Sequence, residues 1–224
     1  MVSLDNPPSA RRGKRIALVV VGVLVVAALA VAAFLLGRDT SGESTPPPPA
    51  TSAPASSDAA VPAQPPEGVR WQRYQGVLLP LSDVHGPRQN RDGVATGFAH
   101  TSEGALLALV NIYYRVTLAP GEQWREIAEQ QIVGAGQQDF VEQMSHADRS
   151  ALPSPPPVAG FRVVSFDEST AVITLVVGSP GGYIATTEVM RWADGDWRYA
   201  LDSATPSPPQ RLSSLEGYVP WNGS

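Results

Sequence analysis

Five side chains in the C-terminal two thirds of the chain have types that could form a small-molecule site. Tyr113, Tyr114 and Glu188 could transfer protons, because a carboxyl group in apolar surroundings keeps its proton to higher pH. Trp192 and Trp197 could close such a site with apolar walls. Aromatic residues at such positions are, however, typical of core packing. We therefore expect no catalytic residues, and a proton-transfer or small-ligand pocket is the alternative.

Other chemistries lack the residues that they need. The chain has no cysteine, which excludes a thiolate metal site, a disulfide and a cysteine nucleophile. Its histidines, His85, His100 and His146, show neither helical i, i+4 spacing nor a carboxylate at metal-ligand spacing. Gly134-Ala135-Gly136 lacks the third glycine of a dinucleotide fingerprint, and no Gly-x-Ser-x-Gly elbow is present. The sequence therefore predicts no metal and no cofactor.

The charge balance of the C-terminal part argues against nucleic acid as a partner. From Gly68 onward, eleven arginines face sixteen aspartates and glutamates, and the net charge is −5. An acidic surface repels phosphate backbones. We therefore expect no binding to DNA or RNA.

The elements that would position these side chains begin with an edge strand at 76–81, where Pro80 disfavours a central place in a sheet. Three helices follow. Thr101 can cap the first, and residues 105–116 are apolar nearly all round, so this helix is expected at the centre of the core. Shorter amphipathic patterns after Pro120 and around Phe140 predict two more.

The last third changes to the pattern of β-strands. Segments 161–166, 171–177, 183–192 and 197–201 are rich in β-branched and aromatic residues, and short loops separate them. This spacing predicts an antiparallel meander. A two-residue turn at Asp194-Gly195 would pair Trp192 with Trp197, but it would also oppose Arg191 to Arg198, so a three-residue loop is the alternative.

An uncharged apolar run of twenty-two residues, 16–37, lies near the N-terminus. As a helix it would extend roughly 33 Å, enough to cross a hydrocarbon core of about 30 Å. Four basic residues precede it, which places the N-terminus in the cytoplasm. The alternative is a cleaved signal peptide. The Ala-x-Ala site at 30–32 is followed by further apolar residues, which favours a retained anchor.

The segment 38–67 has the composition of a linker. It is rich in Pro, Ser, Thr and Ala and has no aromatic residue, so it cannot bury enough apolar area to fold. The predicted organisation is thus a basic cytoplasmic tail (1–15), a transmembrane helix (16–37), a disordered Pro-rich linker (38–67) and an extracytoplasmic α+β domain (68–224).

This layout resembles an actinobacterial family of membrane-anchored proteins that carry a domain of unknown function. The resemblance rests on Trp71, 76–82, Gly86-Pro87, 97–106, 160–162 and 215–221. The hairpin 191–198 is similar to the last hairpin of nuclear-transport-factor-two-like domains. That resemblance implies a cone-like domain of about three helices on a curved antiparallel sheet of four to five strands. The order of tail, span and domain also resembles TcpC and VirB-type conjugation subunits, which are noncatalytic.

We therefore expect a noncatalytic single-pass protein of the cell membrane, with its C-terminal domain outside. The lipid bilayer is one expected partner. Protein partners in an envelope assembly, which resemblance suggests is conjugative, are the other, and a homo-oligomer is an open alternative.

Overall fold

The computed structural model describes residues 62–151, 153–202 and 208–223. The span predicted at 16–37 and most of the linker lie outside these residues and stay predictions. Within the described part, none of the helices has the length and hydropathy needed to cross a bilayer.

In chain order the elements are β1 (Val69–Tyr74), β2 (Val77–Ser82), β3 (Gln89–Arg91), β4 (Val94–Thr96), α1 (Ser102–Leu118), α2 (Gln123–Gln131), β5 (Ile132–Val133), α3 (Gln137–His146), a 3-10 turn (Arg149–Ala151), β6 (Val158–Phe166), β7 (Thr170–Ser179), β8 (Gly182–Ala193), β9 (Asp196–Ala200), β10 (Gln210–Leu212) and β11 (Val219–Pro220).

Seven strands form one mixed sheet in the order β11-β6-β7-β8-β9-β5. β10 pairs with residues 183–185 of β8, and β9 pairs with residues 190–193, so these two strands share one edge of β8. All pairs are antiparallel except β5 with β9. Two separate hairpins, β1–β2 and β3–β4, complete the described strands.

The expected fold, three helices on an antiparallel sheet of four to five strands in a cone-like domain, is therefore wrong. Eleven strands make the domain rich in sheet, and the main sheet is mixed. Three of the missed strands, β5, β10 and β11, are two or three residues long and carry no alternating pattern. Such strands form only because a longer strand already offers an edge, so local sequence does not specify them.

The two missed hairpins turn at Gln75-Gly76 and Asp92-Gly93. All four of these residues have positive φ, between 46° and 91°, which matches the right-handed twist of the flanking strands. Residues 76–81 were predicted as an edge strand, and they largely coincide with β2, which pairs with β1 rather than with the main sheet.

Helix α1 is the centre of the core, and its buried position agrees with the apolar pattern of 105–116. The Thr101 hydroxyl oxygen accepts a hydrogen bond from the Gly104 amide at 3.1 Å and caps the helix. The helix contacts β2, β4, β7, β9 and α2. Gly104 allows the close approach of the preceding loop, because a Cβ there would lie 1.9 Å from the Ala99 carbonyl oxygen.

The last hairpin has the two-residue turn. Asp194 and Gly195 have φ of 52° and 79°, and Trp192 pairs with Trp197. Arg191 does oppose Arg198, but each arginine has its own carboxylate partner. Arg191 pairs with Asp202, and Arg198 pairs with Asp194 at 3.5 Å. These ion pairs offset the like-charge contact that favoured a longer loop.

Candidate functional site

Two of the predicted pocket residues, Tyr113 and Glu188, lie in the interior between α1 and the main sheet. Glu188 is 7 % exposed, and its carboxylate accepts hydrogen bonds from the hydroxyls of Tyr199 and Thr186. No cation among the described residues pairs with it. Burial raises the pKa of Glu188, and the two hydrogen bonds only partly oppose this rise.

Tyr113 lies beside this carboxyl group and has the same unfavourable surroundings for charge. Its hydroxyl is enclosed and has no hydrogen-bond partner among the described residues. Burial, and then the nearby Glu188, raise the pKa of Tyr113 far above its ordinary value. Tyr113, Glu188 and Tyr199 therefore form a buried acid cluster that is neutral or singly charged. None of the four described cavities is lined by any of these three residues.

Tyr114 points elsewhere. Its ring meets that of Tyr113 edge to face at 5.0 Å, but its hydroxyl donates to the Pro156 carbonyl oxygen. It lines a surface groove beside Trp71 and the proline-rich segment 153–157. Its side chain thus joins α1 to the segment that leads into β6.

Trp192 and Trp197 form a third group, at the end of the last hairpin. Trp192 stacks on His100 at 3.9 Å, and the Trp197 indole nitrogen donates to the Ala99 carbonyl oxygen at 2.9 Å. The Asp196 carboxylate accepts from the backbone amides of Gly97 and Phe98 at 2.8 and 3.1 Å. These contacts hold the hairpin against residues 97–100, the segment that immediately precedes α1. The structure therefore does not bring the five predicted residues together around one pocket.

A site that the sequence analysis missed lies between the β1–β2 hairpin, β3 and α1. It is a cavity of about 260 Å³, and three of the residues that line it are Arg73, Arg88 and Arg115. Arg115 is 4 % exposed and lies in the last turn of α1. Arg115, a charged residue in the largely apolar segment 105–116, with Asn111 one turn earlier, was the signal in the sequence.

Neutral groups hold the Arg115 guanidinium in place. Its Nε donates to the Asn111 side-chain oxygen at 3.2 Å, and its Nη1 donates to the Asn90 side-chain oxygen and the Gly93 carbonyl oxygen, both at 3.2 Å. The Tyr74 ring lies 4.7 Å from the guanidinium carbon. Asn111 is itself oriented, because its amide nitrogen donates to the Pro80 carbonyl oxygen at 2.9 Å.

Among the described residues, the outer face of the main sheet, opposite α1, is covered at one end only. There Val176 and Ala185 are buried, and the Val219 carbonyl oxygen approaches Gly160 so closely that a Cβ would meet it at 2.8 Å. The other end is what we call the bare sheet face. It consists of Val164, Ser165, Val172, Thr187 and Val189, all of which are exposed or half-buried.

The bare sheet face continues to an open strand edge. β11 pairs only with residues 160 and 161 of β6, so no described strand covers the outer edge of β6 from Arg162 to Phe166. Val164 on this edge is 50 % exposed. An open edge of this kind can accept an added strand from a partner.

Comparison with known families gives one match. The family described as Domain of unknown function (DUF8175) matches residues 37–220. The chain belongs to this family. The match covers every described strand and helix as well as much of the Pro-rich segment, so DUF8175 includes both. Neither a curated protein nor a solved structure matches the chain.

Proposed function

We propose that this DUF8175 protein is a noncatalytic single-pass membrane protein whose domain outside the cytoplasm binds other proteins of an envelope assembly. The apolar run 16–37, with basic residues before it, supports the anchor and its orientation. The Pro-rich segment would let the domain reach partners at a distance from the bilayer. Resemblance in layout to conjugation subunits supports an assembly of the type IV secretion kind, in an actinobacterial cell.

The bare sheet face and the open edge of β6 are the observation that carries the proposed protein contacts. Val164, Val172 and Val189 give the face an apolar centre, and Ser165 and Thr187 supply polar groups around it. The Thr174 and Thr187 hydroxyls lie 3.0 Å apart on the same face. An apolar centre with polar surroundings, next to an unpaired strand edge, is the arrangement that strand-adding partners use.

The filled interior supports binding at the surface rather than chemistry inside. Trp197, Tyr199, Met190 and Tyr113 occupy the space between the sheet and α1, and each is less than 5 % exposed. A substrate therefore has no described route to Glu188. The alternative that a specific observation favours is a small-ligand site at the surface, and the cavity at Arg115 is that observation.

Photocrosslinking in intact cells tests the proposed contacts. A photoreactive amino acid at Ser165 is expected to form an adduct with a subunit of an envelope channel or its ATPase, as identified by mass spectrometry. Val164→Glu in the same chain should abolish that adduct, because it places a charge in the apolar centre of the contact. The matched control is the photoreactive residue at Glu142, which is exposed on α3, away from the bare sheet face.

The outcomes of this experiment separate a contact with another protein, a contact between two copies of the chain and the lack of a specific contact. An adduct between two copies of the chain would replace the heteromeric contact by a homo-oligomer. Equal adducts from Ser165 and Glu142, or an adduct that Val164→Glu leaves unchanged, would contradict a specific contact at this face. The absence of adducts from Ser165 and from a second site at Thr187 would refute the proposal.

A further inference from the structure

The cavity at Arg115 contains more positive charge than its surroundings balance. Arg73, Arg88 and Arg115 all line it, yet none of the three forms an ion pair with a described carboxylate. This is unexpected in a domain whose acidic residues outnumber its arginines. By contrast, Arg70 on the same hairpin is paired, and its guanidinium contacts Asp83 at 2.7 Å.

The uncompensated charge matters most at Arg115, because that residue is buried. A charged group removed from water is costly, and hydrogen bonds to neutral groups offset only part of that cost when no opposite charge accompanies it. Burial lowers the pKa of Arg115, but a guanidinium starts so high that it remains a cation at neutral pH. Tyr74 does not balance it, since burial raises the pKa of that phenol and keeps it neutral.

Part of the Arg115 guanidinium is available to a ligand. Its Nε and Nη1 are occupied by Asn111, Asn90 and Gly93. Its Nη2 hydrogen-bonds to no described residue, and it is not among the fully enclosed polar atoms that lack a partner. Nη2 therefore keeps some accessible surface, and Arg115 is among the residues that line the cavity.

Two more arginine side chains at the rim of the cavity could donate hydrogen bonds to a ligand, because they have few contacts with other residues. The Arg88 side chain is exposed and makes no hydrogen bond with a described residue, and the Arg73 side chain makes only a long contact of 3.5 Å to the Gly76 carbonyl oxygen. Planar guanidinium groups bind carboxylate and phosphate oxygens in a bidentate manner. Leu79, Pro80 and Pro87 supply apolar walls beside them.

We propose that this cavity binds the oxyanion group, a carboxylate or a phosphate, of a small molecule, with Arg115 at its base and Arg73 and Arg88 at its rim. A volume of about 260 Å³ admits the anionic group with a short organic remainder. The site lies on β1, β2, β3 and α1, so it does not depend on the contacts proposed for the bare sheet face.

Titration of the full-length chain in detergent tests this site. Inorganic phosphate and succinate are the two probes, and sodium chloride holds the ionic strength constant. Isothermal calorimetry should show saturable binding of at least one probe. Binding of phosphate alone would identify a phosphate site, and binding of succinate alone would identify a carboxylate site. Binding of both would support a site that accepts either oxyanion.

Substitutions at the rim then test the location without disturbing the core. Arg88→Gln and Arg73→Gln should each weaken binding by roughly three- to tenfold, and the double variant by more, since each removes one charged donor. Arg70→Gln, on the same hairpin but outside the cavity, should change affinity by less than about twofold. Val164→Glu should leave this binding unchanged.

Two results would overturn the proposal. One is the absence of saturable binding by either probe in a chain whose circular dichroism is that of the folded protein. The other is binding that Arg70→Gln weakens as much as Arg73→Gln and Arg88→Gln do, which would indicate a general response to charge.

Discussion

Replacement of Glu188 by glutamine should stabilise the protein at neutral and alkaline pH. Glu188 is 7 % exposed, and its only described polar partners are the hydroxyls of Tyr199 and Thr186. An ion transferred to the interior costs several kcal/mol. Two hydrogen bonds to a charged acceptor offset about 1.5–3 kcal/mol each. Because burial raises the pKa of Glu188 despite these hydrogen bonds, the ionised carboxylate is a net cost, and a neutral amide of the same shape removes it.

The sign of the pH dependence follows from the direction of the pKa shift. The pKa of Glu188 in the folded chain is raised above its ordinary value of 4.5. The protonated carboxyl therefore favours the folded state fully below pH 4.5, and this contribution is lost as the pH rises through the folded-state pKa. Glu188→Gln should thus match the wild type at pH 4 and exceed its free energy of unfolding by about 1–3 kcal/mol at pH 8.

Urea unfolding followed by tryptophan fluorescence measures this difference at a series of pH values. For a domain of this size, each kcal/mol corresponds to about 2–4 °C in Tm, so thermal unfolding gives a second readout. Glu142→Gln, at an exposed position on α3, is the matched control and should show no such pH dependence. If Glu188→Gln is less stable than the wild type at pH 8, a counter-charge stabilises the carboxylate and the reasoning is refuted.

Three further predictions concern the stability of the fold, and urea unfolding checks each. Gly104→Ala should lower the free energy of unfolding by about 2 kcal/mol or more, because the new methyl group meets the Ala99 carbonyl oxygen at 1.9 Å; an unchanged midpoint would show that this approach relaxes freely. Arg149→Met should cost about 1–2 kcal/mol, since the guanidinium donates to carbonyl oxygens at the end of α1, and a neutral result would mean that water replaces it. Trp221→Ala should cost about 3–5 kcal/mol, because the indole is 5 % exposed and packs on Phe161; a loss below 1 kcal/mol would show that this packing contributes little to stability.

The parts of the fold that local chemistry determines were predictable. The Thr101 cap and the Asp194-Gly195 turn each depend on a few adjacent residues, and both are observed. By contrast, β5 forms because the end of α2 meets β9, and Asp196 binds amides about a hundred residues earlier in the chain. Neither contact has a pattern in the local sequence.

The candidate sites divide in the same way. Glu188 was predicted from its residue type, but its surroundings depend on α1 and on Tyr199, which only the fold brings together. The Arg115 cavity needs residues from two hairpins and a helix. The one local signal was Arg115, a charged residue in a largely apolar segment. Its role became clear only from the fold, in which no described carboxylate pairs with it.

The central claim is that the domain is tethered outside the cytoplasmic membrane, and cysteine labelling tests it most directly. The chain has no native cysteine, so a single introduced one reports its own location. Val84 is 64 % exposed and is a suitable position. In intact protoplasts, a membrane-impermeant maleimide should label Val84→Cys in the membrane fraction, whereas Ser3→Cys should react only after lysis. Protection of Val84→Cys until lysis, or recovery of the intact chain from the soluble fraction, would contradict the account.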